Sequence, residues 1–408
     1  MSKLDELIKE LCPNGVEYKE LGEIVKYQRG KTITKELIKD GDIPVISGGQ
    51  KPAYYHNESN RKGEVITVAG SGAYAGFVMY WDKPIFVSDA FSIECDKSYL
   101  NIKYIYFFLQ NNQMKIHSLK KGGGVPHVYF KDMQKFLVPV PPLEVQNEIV
   151  RILDNFTALT AELTAELTAR KKQYSWYRDY LLKFENKIEI VKLKDIATEM
   201  YRGNGIKREE VRETGIPCVR YGEIYTEYGI SFEKTKSYTD ENLITNKKYI
   251  EYGDILFAIT GESVEEIGKS TAYIGKEKCL VGGDILVMKH KQDPVYLSYV
   301  LSTENSQKQK SKGKIKSKVV HTNATDIGEI EIPLPPLEVQ KRIVEVLDNF
   351  EKICNDLNIG LPAEIEARQK QYEFYRNFLL TFNNEEIYAL SKQASKQASK
   401  QASSKPKI

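Results

Sequence analysis

Pro139-Val-Pro-Pro-Leu-Glu-Val-Gln-Asn-Glu-Ile-Val-Arg-Ile-Leu-Asp-Asn-Phe156 recurs as Pro333-Leu-Pro-Pro-Leu-Glu-Val-Gln-Lys-Arg-Ile-Val-Glu-Val-Leu-Asp-Asn-Phe350, 194 residues later. Further on, Ala169-Arg-Lys-Lys-Gln-Tyr-Ser-Trp-Tyr-Arg178 recurs as Ala367-Arg-Gln-Lys-Gln-Tyr-Glu-Phe-Tyr-Arg376 at an offset of 198, so the second copy has gained four residues. Ahead of each block the match is fainter. Glu17 to Ile24 answers Glu189 to Ile196, Tyr27-Gln28-Arg29-Gly30 roughly answers Tyr201-Arg202-Gly203, and His127 and Asp132 answer His321 and Asp326. The chain reads variable, repeated, variable, repeated.

Each repeated block predicts a long helix opened by Pro-Pro, a pair suited to a first turn but not to an interior. Val145, Ile149, Ile152, Phe156, Leu159 and Leu163 are spaced 4-3-4-3-4, a coiled-coil seam resumed at Tyr174, Tyr177 and Leu181. Val339, Ile343, Val346, Phe350, Ile353 and Leu357 keep that rhythm, and Gly360-Leu361-Pro362 should kink or break the second helix. The matched seams favour antiparallel pairing of the two helices over packing of each on its own domain. Thr160-Ala-Glu-Leu163 is followed by Thr164-Ala-Glu-Leu167. Four residues advance a helix by about 6 Å and roughly 400°, so one copy more or fewer changes the length and nearly keeps the apolar face.

The variable segments carry short strand-like runs, such as Glu64 to Val68, Ile85 to Val87, Asp254 to Ile259 and Asp284 to Met288, punctuated by Gly, Asn and Asp. Each also holds an aromatic-rich helix candidate, Tyr104 to Asn111 and Tyr296 to Leu301. The expected fold is α+β, with two similar globular domains alternating with two long helices that pair as an antiparallel coiled coil of pseudo-two-fold symmetry. Expected boundaries are an N-terminal helix or arm at 1–15, domains at 16–138 and 187–332, and repeated helices at 139–186 and 333–382. The Lys-Gln-Ala-Ser tail at 383–408 should be disordered.

The 408 residues carry 59 Lys+Arg against 56 Asp+Glu. The tail holds five Lys and two Glu, so residues 1–382 balance, and affinity for nucleic acid has to come from local patches. Scattered cysteines without a Cys-x-x-Cys pair argue against a zinc site or disulfide framework and fit a reducing compartment. No apolar run is long enough for a membrane span, and the start is too acidic for a signal peptide, so a cytoplasmic protein is expected. No catalytic motif stands up. Gly70 to Gly76 misses the dinucleotide spacing, and Gly261 to Ser270 separates its glycines by six residues where a phosphate loop needs four. The Pro-Pro pairs lack the acid or amide and the aromatic of an amino-methyltransferase, and no Pro-Asp marks a nuclease. No metal ligands, catalytic residues or cofactor site are expected.

What remains is a set of basic and polar loops at matched places. They comprise Gln28, Arg29 and Lys31 with Gln50 and Lys51, against Arg202, Asn204, Lys207 and Arg208 with Arg220 and Tyr221. Later come Lys120, Lys121 and His127 against a lysine run with His321. Arg forks onto guanine and Gln or Asn onto adenine in the major groove. Lys308, Lys310, Lys312, Lys314, Lys316 and Lys318 alternate, so on an extended chain all project from one face toward phosphates or solvent.

The plan, the two Pro-Leu-Glu-Val-Gln…Leu-Asp-Asn-Phe helices and the Thr-Ala-Glu-Leu tandem resemble the specificity subunit of type I restriction–modification enzymes. The Gln-Tyr-x-x-Tyr-Arg endings at Gln173 to Arg178 and Gln371 to Arg376 point to the type IC subclass. The resemblance implies two target recognition domains, each reading half of a bipartite, asymmetric site in double-stranded DNA. It also implies helices that set the distance between halves and dock two modification subunits, which use S-adenosylmethionine to methylate adenine. Two restriction subunits would add ATP- and magnesium-dependent translocation and cleavage, and this chain would be non-catalytic. A coiled-coil adaptor for other ligands, or an orphan specificity chain, is the competing reading.

Overall fold

The structure is a computed structural model that describes residues 3–184, 188–311, 314–316, 319–355 and 360–382, with the side chains of 312–319 outside the description. The tail, Lys312 and Lys318 therefore lie outside the described residues. The chain divides into two compact units, residues 1–163 with 365 onward, and residues 164–364.

In the first unit, Val25–Arg29, Ala90–Cys95, Val65–Ala69 and Val78–Trp81 form a four-stranded sheet in that order. Its pairings are all antiparallel. A smaller sheet orders Tyr54–His56, Ile43–Ile46 and Phe86–Val87. Val65–Ala69 is buried at every position, so it lacks the polar alternation of a half-exposed strand. Helix Ile102–Asn111 covers the core and starts where the Asn101 side chain accepts from the Lys103 and Tyr104 amides.

The second unit repeats this design with more strands. Ala197–Arg202, Ile285–His290, Ile255–Ala258, Ser270–Tyr273 and Ser231–Phe232 make one sheet. Val211–Arg212, Ser237–Thr239, Ile216–Val219, Cys279–Val281 and Tyr249–Ile250 make another. Helix Pro294–Leu301 begins with proline at its first position, and the Asp293 side chain accepts from the Tyr296 amide.

The repeated sequence fastens domain to helix in the same way in both units. Tyr18–Glu20 pairs with Leu137–Pro139, and Ile190–Lys192 with Glu331–Pro333. The buried Tyr104 hydroxyl donates to the Pro139 carbonyl at 2.8 Å, and the Tyr296 hydroxyl to that of Pro333 at 2.9 Å. Four residues after Pro142 and Pro336 come Gln146 and Gln340, both wholly buried. Gln146 accepts from the Asn101 amide and donates to the Pro141 carbonyl, while Gln340 accepts from the Asp293 amide and donates to the Pro335 carbonyl. Each glutamine thus joins the cap of a domain helix to the start of a repeated helix. Leaving a buried amide without its partner costs about 1–3 kcal/mol, which accounts for glutamine at this place in both copies.

The first repeated helix is continuous from Leu143 to Leu181. The second is divided into Leu337–Asn355 and Leu361–Thr381, with Pro362 in the opening turn of the latter, as the Gly-Leu-Pro triplet implies. Each unit packs one copy against the other reciprocally. Phe156 stacks on Tyr375 at 5.3 Å in the first, and Tyr177 stacks on Phe350 at 5.6 Å in the second. Lys171 and Arg170 act on Cys354, so the sense within the second unit is antiparallel.

Two sequence expectations change. In Leu337–Asn355 the buried positions are Gln340, Leu347 and Cys354, with Ile343 and Phe350 half-buried, whereas Val339, Val346 and Ile353 of the expected seam are exposed. Leu159 is likewise exposed. The lysine ladder is also not one extended face. Lys308 and Lys310 belong to helix Glu304–Lys310, and Lys310 is only 3% exposed. Its ammonium donates to the Leu301 carbonyl at 2.6 Å and to Ser270 Oγ at 3.2 Å, and burial pushes its pKa down to about 7. Lys310 is a core residue, unavailable to phosphate.

Candidate nucleic-acid interface

The matched loops converge at one end of the main sheet in each unit. Arg29 and Arg202 close their strands opposite Phe91 and Leu286. The following amides, of Gly30 and Gly203, donate to the carbonyls of Ala90 and Ile285 at 2.8 and 2.9 Å. A Cβ on Gly30 would lie 2.0 Å from the Ser88 carbonyl oxygen, and one on Gly203 2.2 Å from that of Gly282. Glycine is therefore required at both places by close backbone approach. This register sets Gln28 against Tyr201 and Tyr27 against Met200, one residue from the alignment that the tyrosines suggest.

From there the backbone links repeat. The Gly70 amide donates to the Asp89 carbonyl and the Ile259 amide to that of Asp284, both at 3.1 Å. The Val128 amide donates to the Gly70 carbonyl and the Thr322 amide to that of Ile259, again at 3.1 Å. His127 bridges to Ser71 and His321 pairs with Thr260. Arg29, Asp89 and His127 thus hold the positions of Arg202, Asp284 and His321.

Side-chain partners differ between the copies. Arg202 Nε donates to the Gly283 carbonyl and a terminal nitrogen pairs with Asp284 at 2.5 Å. In the first unit, Ser71 Oγ donates to Asp89, and Asp89 lines a cleft of about 330 Å³ with Arg29, His127 and Lys131. The His127 ring lies nearly parallel to that of Tyr129, over which Lys131 sits at 5.5 Å. The buried Arg61 guanidinium fixes the Arg29 backbone by donating to its carbonyl at 3.1 Å and to Ser92 Oγ at 2.7 Å.

Several of the remaining candidates are tied to these places through the backbone. Lys31 and Asn204 donate their amides to Val87 and Val281. The loop with Gln50 and Lys51 follows Ile43–Ile46, and Arg220-Tyr221 follows the corresponding strand Ile216–Val219. Gly48 of the former meets the Ser71 backbone. Arg220 lies 3.8 Å from the buried carboxylate of Glu223, which also accepts from the Arg220 amide. Lys207 and Arg208 enter a short 3-10 turn at Arg208–Glu210, and both are exposed. The Lys120-Lys121 segment is a bridged hairpin. Lys121 exchanges backbone bonds with His127 and pairs with Asp132 at 2.5 Å, and Lys120 donates to the Ala73 carbonyl. Lys314–Lys316 runs beside Val319–His321, with Lys314 opposite His321 as Lys121 is opposite His127.

Sequence reasoning missed Asp89, Asp284, Arg61 and Lys131. The two aspartates carried a signal, since each directly precedes a matched apolar strand at an offset close to that of the histidines. Among the described residues no group of His, Cys, Asp and Glu could hold a metal ion, and no helix is long and apolar enough to cross a membrane.

Residues 13–170 and 185–367 match the family described as type I restriction modification DNA specificity domain. The chain is 30% identical to the Escherichia coli type I restriction enzyme EcoR124I/EcoR124II specificity subunit, over 95% of this chain and 99% of that one. In fold it resembles the type I restriction–modification S subunit of M. genitalium, with TM-score 0.55 and 17% identity over 90% of this chain and 97% of that one. It also resembles a chain from a structural study of complex assembly and conformational transition of the type I R-M system, with TM-score 0.58 and 16% identity over 90% and 98%.

Proposed function

The chain belongs to the type I restriction–modification DNA specificity family, and from that premise we propose that residues 16–138 and 187–332 each read one half of a split, asymmetric DNA sequence. The chain supplies the address, and partner subunits carry the chemistry. The observation that carries the two-domain reading is the recurrence of one Arg, Asp and His arrangement at the same backbone positions of both units. The loops around it differ in sequence, as two readers of unlike half-sites require, and base-edge contacts rather than global charge would supply specificity. Methylation by S-adenosylmethionine and ATP-driven cleavage belong, on this reading, to the modification and restriction subunits.

The repeated helices are the docking surface for the modification subunits. Val339, Val346 and Ile353 form an exposed apolar stripe at seven-residue spacing, and Trp176 and Tyr180 stack on each other in solvent. Such stripes are the pattern of a helix face that meets a partner helix. Co-expression tests this. Val346→Asp together with Ile353→Asp should reduce recovery of the modification subunit with this chain at least tenfold, leaving the thermal unfolding of the isolated chain unchanged. Undiminished recovery would place the docking surface elsewhere.

A further inference from the structure

We propose that the Arg202–Asp284 pair, and Arg29 with Asp89 at the same place in the first unit, form a base-reading unit in each domain. The arginine would take a guanine and the aspartate an amino group of an adjacent base. This rests on the DNA-reading function above and specifies what one part of each domain reads.

A salt-dependent phosphate contact works by neutralising an anion and releasing counterions, so it favours net positive charge. Arg202 is directly paired with Asp284, so the pair carries no net charge and presents a carboxylate that would repel phosphate. Arg29 also shares its cleft with Asp89. An acidic residue at the same backbone position of both copies is a poor design for backbone binding.

It is a good design for a base edge. Nε and one terminal nitrogen of Arg202 are occupied by the Gly283 carbonyl and Asp284. The guanidinium plane is held while much of the side chain stays in solvent. A planar fork fixed in advance loses little entropy on docking. In the major groove guanine offers the O6 and N7 acceptors, while cytosine N4 and adenine N6 are donors. A donor fork beside a carboxylate acceptor complements a guanine next to an amino-bearing base. The mounting is equally specific. Gly203 and Gly30 admit no side chain against the neighbouring strand, and the Arg61 guanidinium holds the Arg29 carbonyl. Arg61 is a positioning residue, acting through the placement of Arg29.

The test uses the complex of this chain with its modification subunit, binding a panel of duplexes that carry every single base-pair change in both half-sites, at several salt concentrations. The wild-type complex should require a G·C pair in each half. Arg202→Ala should lower discrimination at that pair of the second half about 5- to 150-fold, the range for one good bidentate contact, and leave the first half and the salt slope unchanged. Asp284→Asn turns one carboxylate oxygen into an amide donor while the other can still accept from Arg202, so it should alter the preference at the neighbouring pair more than at the guanine. Arg29→Ala and Asp89→Asn should do the same to the first half. Uniform weakening across all sequences with a shallower salt slope would make the arginine a phosphate contact and overturn the assignment. Unaltered discrimination in the variants would overturn it too. A wild-type complex with no sequence preference would remove the DNA-reading function itself, and the assignment with it.

Discussion

Replacing residues 16–138 with the corresponding segment of a relative that has a different target should exchange one half of the methylated sequence and leave the other half intact. The expected change is complete, because each mismatched pair in a site costs about 1–3 kcal/mol and a half-site holds several. The physical basis is how each domain is attached. The first is fastened through the strand pair Tyr18–Glu20 with Leu137–Pro139, the Tyr104 bond to Pro139 and the Gln146 clamp. The second uses the same three devices at Ile190–Lys192, Tyr296 and Gln340. A donor segment that ends before Pro139 and keeps its own counterparts of Tyr18, Tyr104 and Asn101 meets an unchanged socket. A hybrid that methylates both original halves, or neither, would show that the halves are not read independently. Adenine methylation mapped at base resolution gives the answer.

The second large effect concerns spacing. Deleting Thr164-Ala-Glu-Leu167 should abolish methylation of the original sequence and create methylation of the same two halves with a spacer altered by about one base pair. Four residues turn a helix by about 40° beyond a full turn, near the rotation of roughly 35° per base pair implied by 10–10.5 pairs per turn. The local structure tolerates the change. The segment lies inside the continuous helix Leu143–Leu181, Leu163 just before it and Leu167 at its end are half-buried, and Thr168 bonds back to the Thr164 carbonyl. With Leu167 removed, Leu163 keeps nearly the same face relative to the residues that follow. An unchanged motif after the deletion would show that this helix does not set the spacing.

Much of this architecture is legible in the sequence because repetition marks it. Pro-Pro-Leu-Glu-Val-Gln occurs twice, with the prolines ahead of each helix and the glutamine in the same clamp. The strand and helix candidates lie where the apolar runs put them, such as Ile255–Ala258 and Ile102–Asn111. The face of the second repeated helix was ambiguous for a physical reason. Val346 and Leu347 are adjacent and both apolar, as are Ile353 and Cys354, so two overlapping stripes share Ile343 and Phe350. The phase is set by tertiary contacts, because the Gln340 clamp turns Leu347 and Cys354 inward. The lysine run misled because alternation was read without its helix start. Thr303 caps Glu304–Lys310 by accepting from the Ser306 amide, and the chain there turns helical. Asp89 and Asp284 went unread since an acid before a strand is ordinary, and only their matching backbone bonds set them apart.

The most direct measurement is a genome-wide map of N6-methyladenine in cells carrying this gene with its modification partner, beside cells lacking this gene alone. The expected result is a split, asymmetric sequence, methylated in the first and unmethylated in the second. Methylation unchanged by loss of the gene would contradict it.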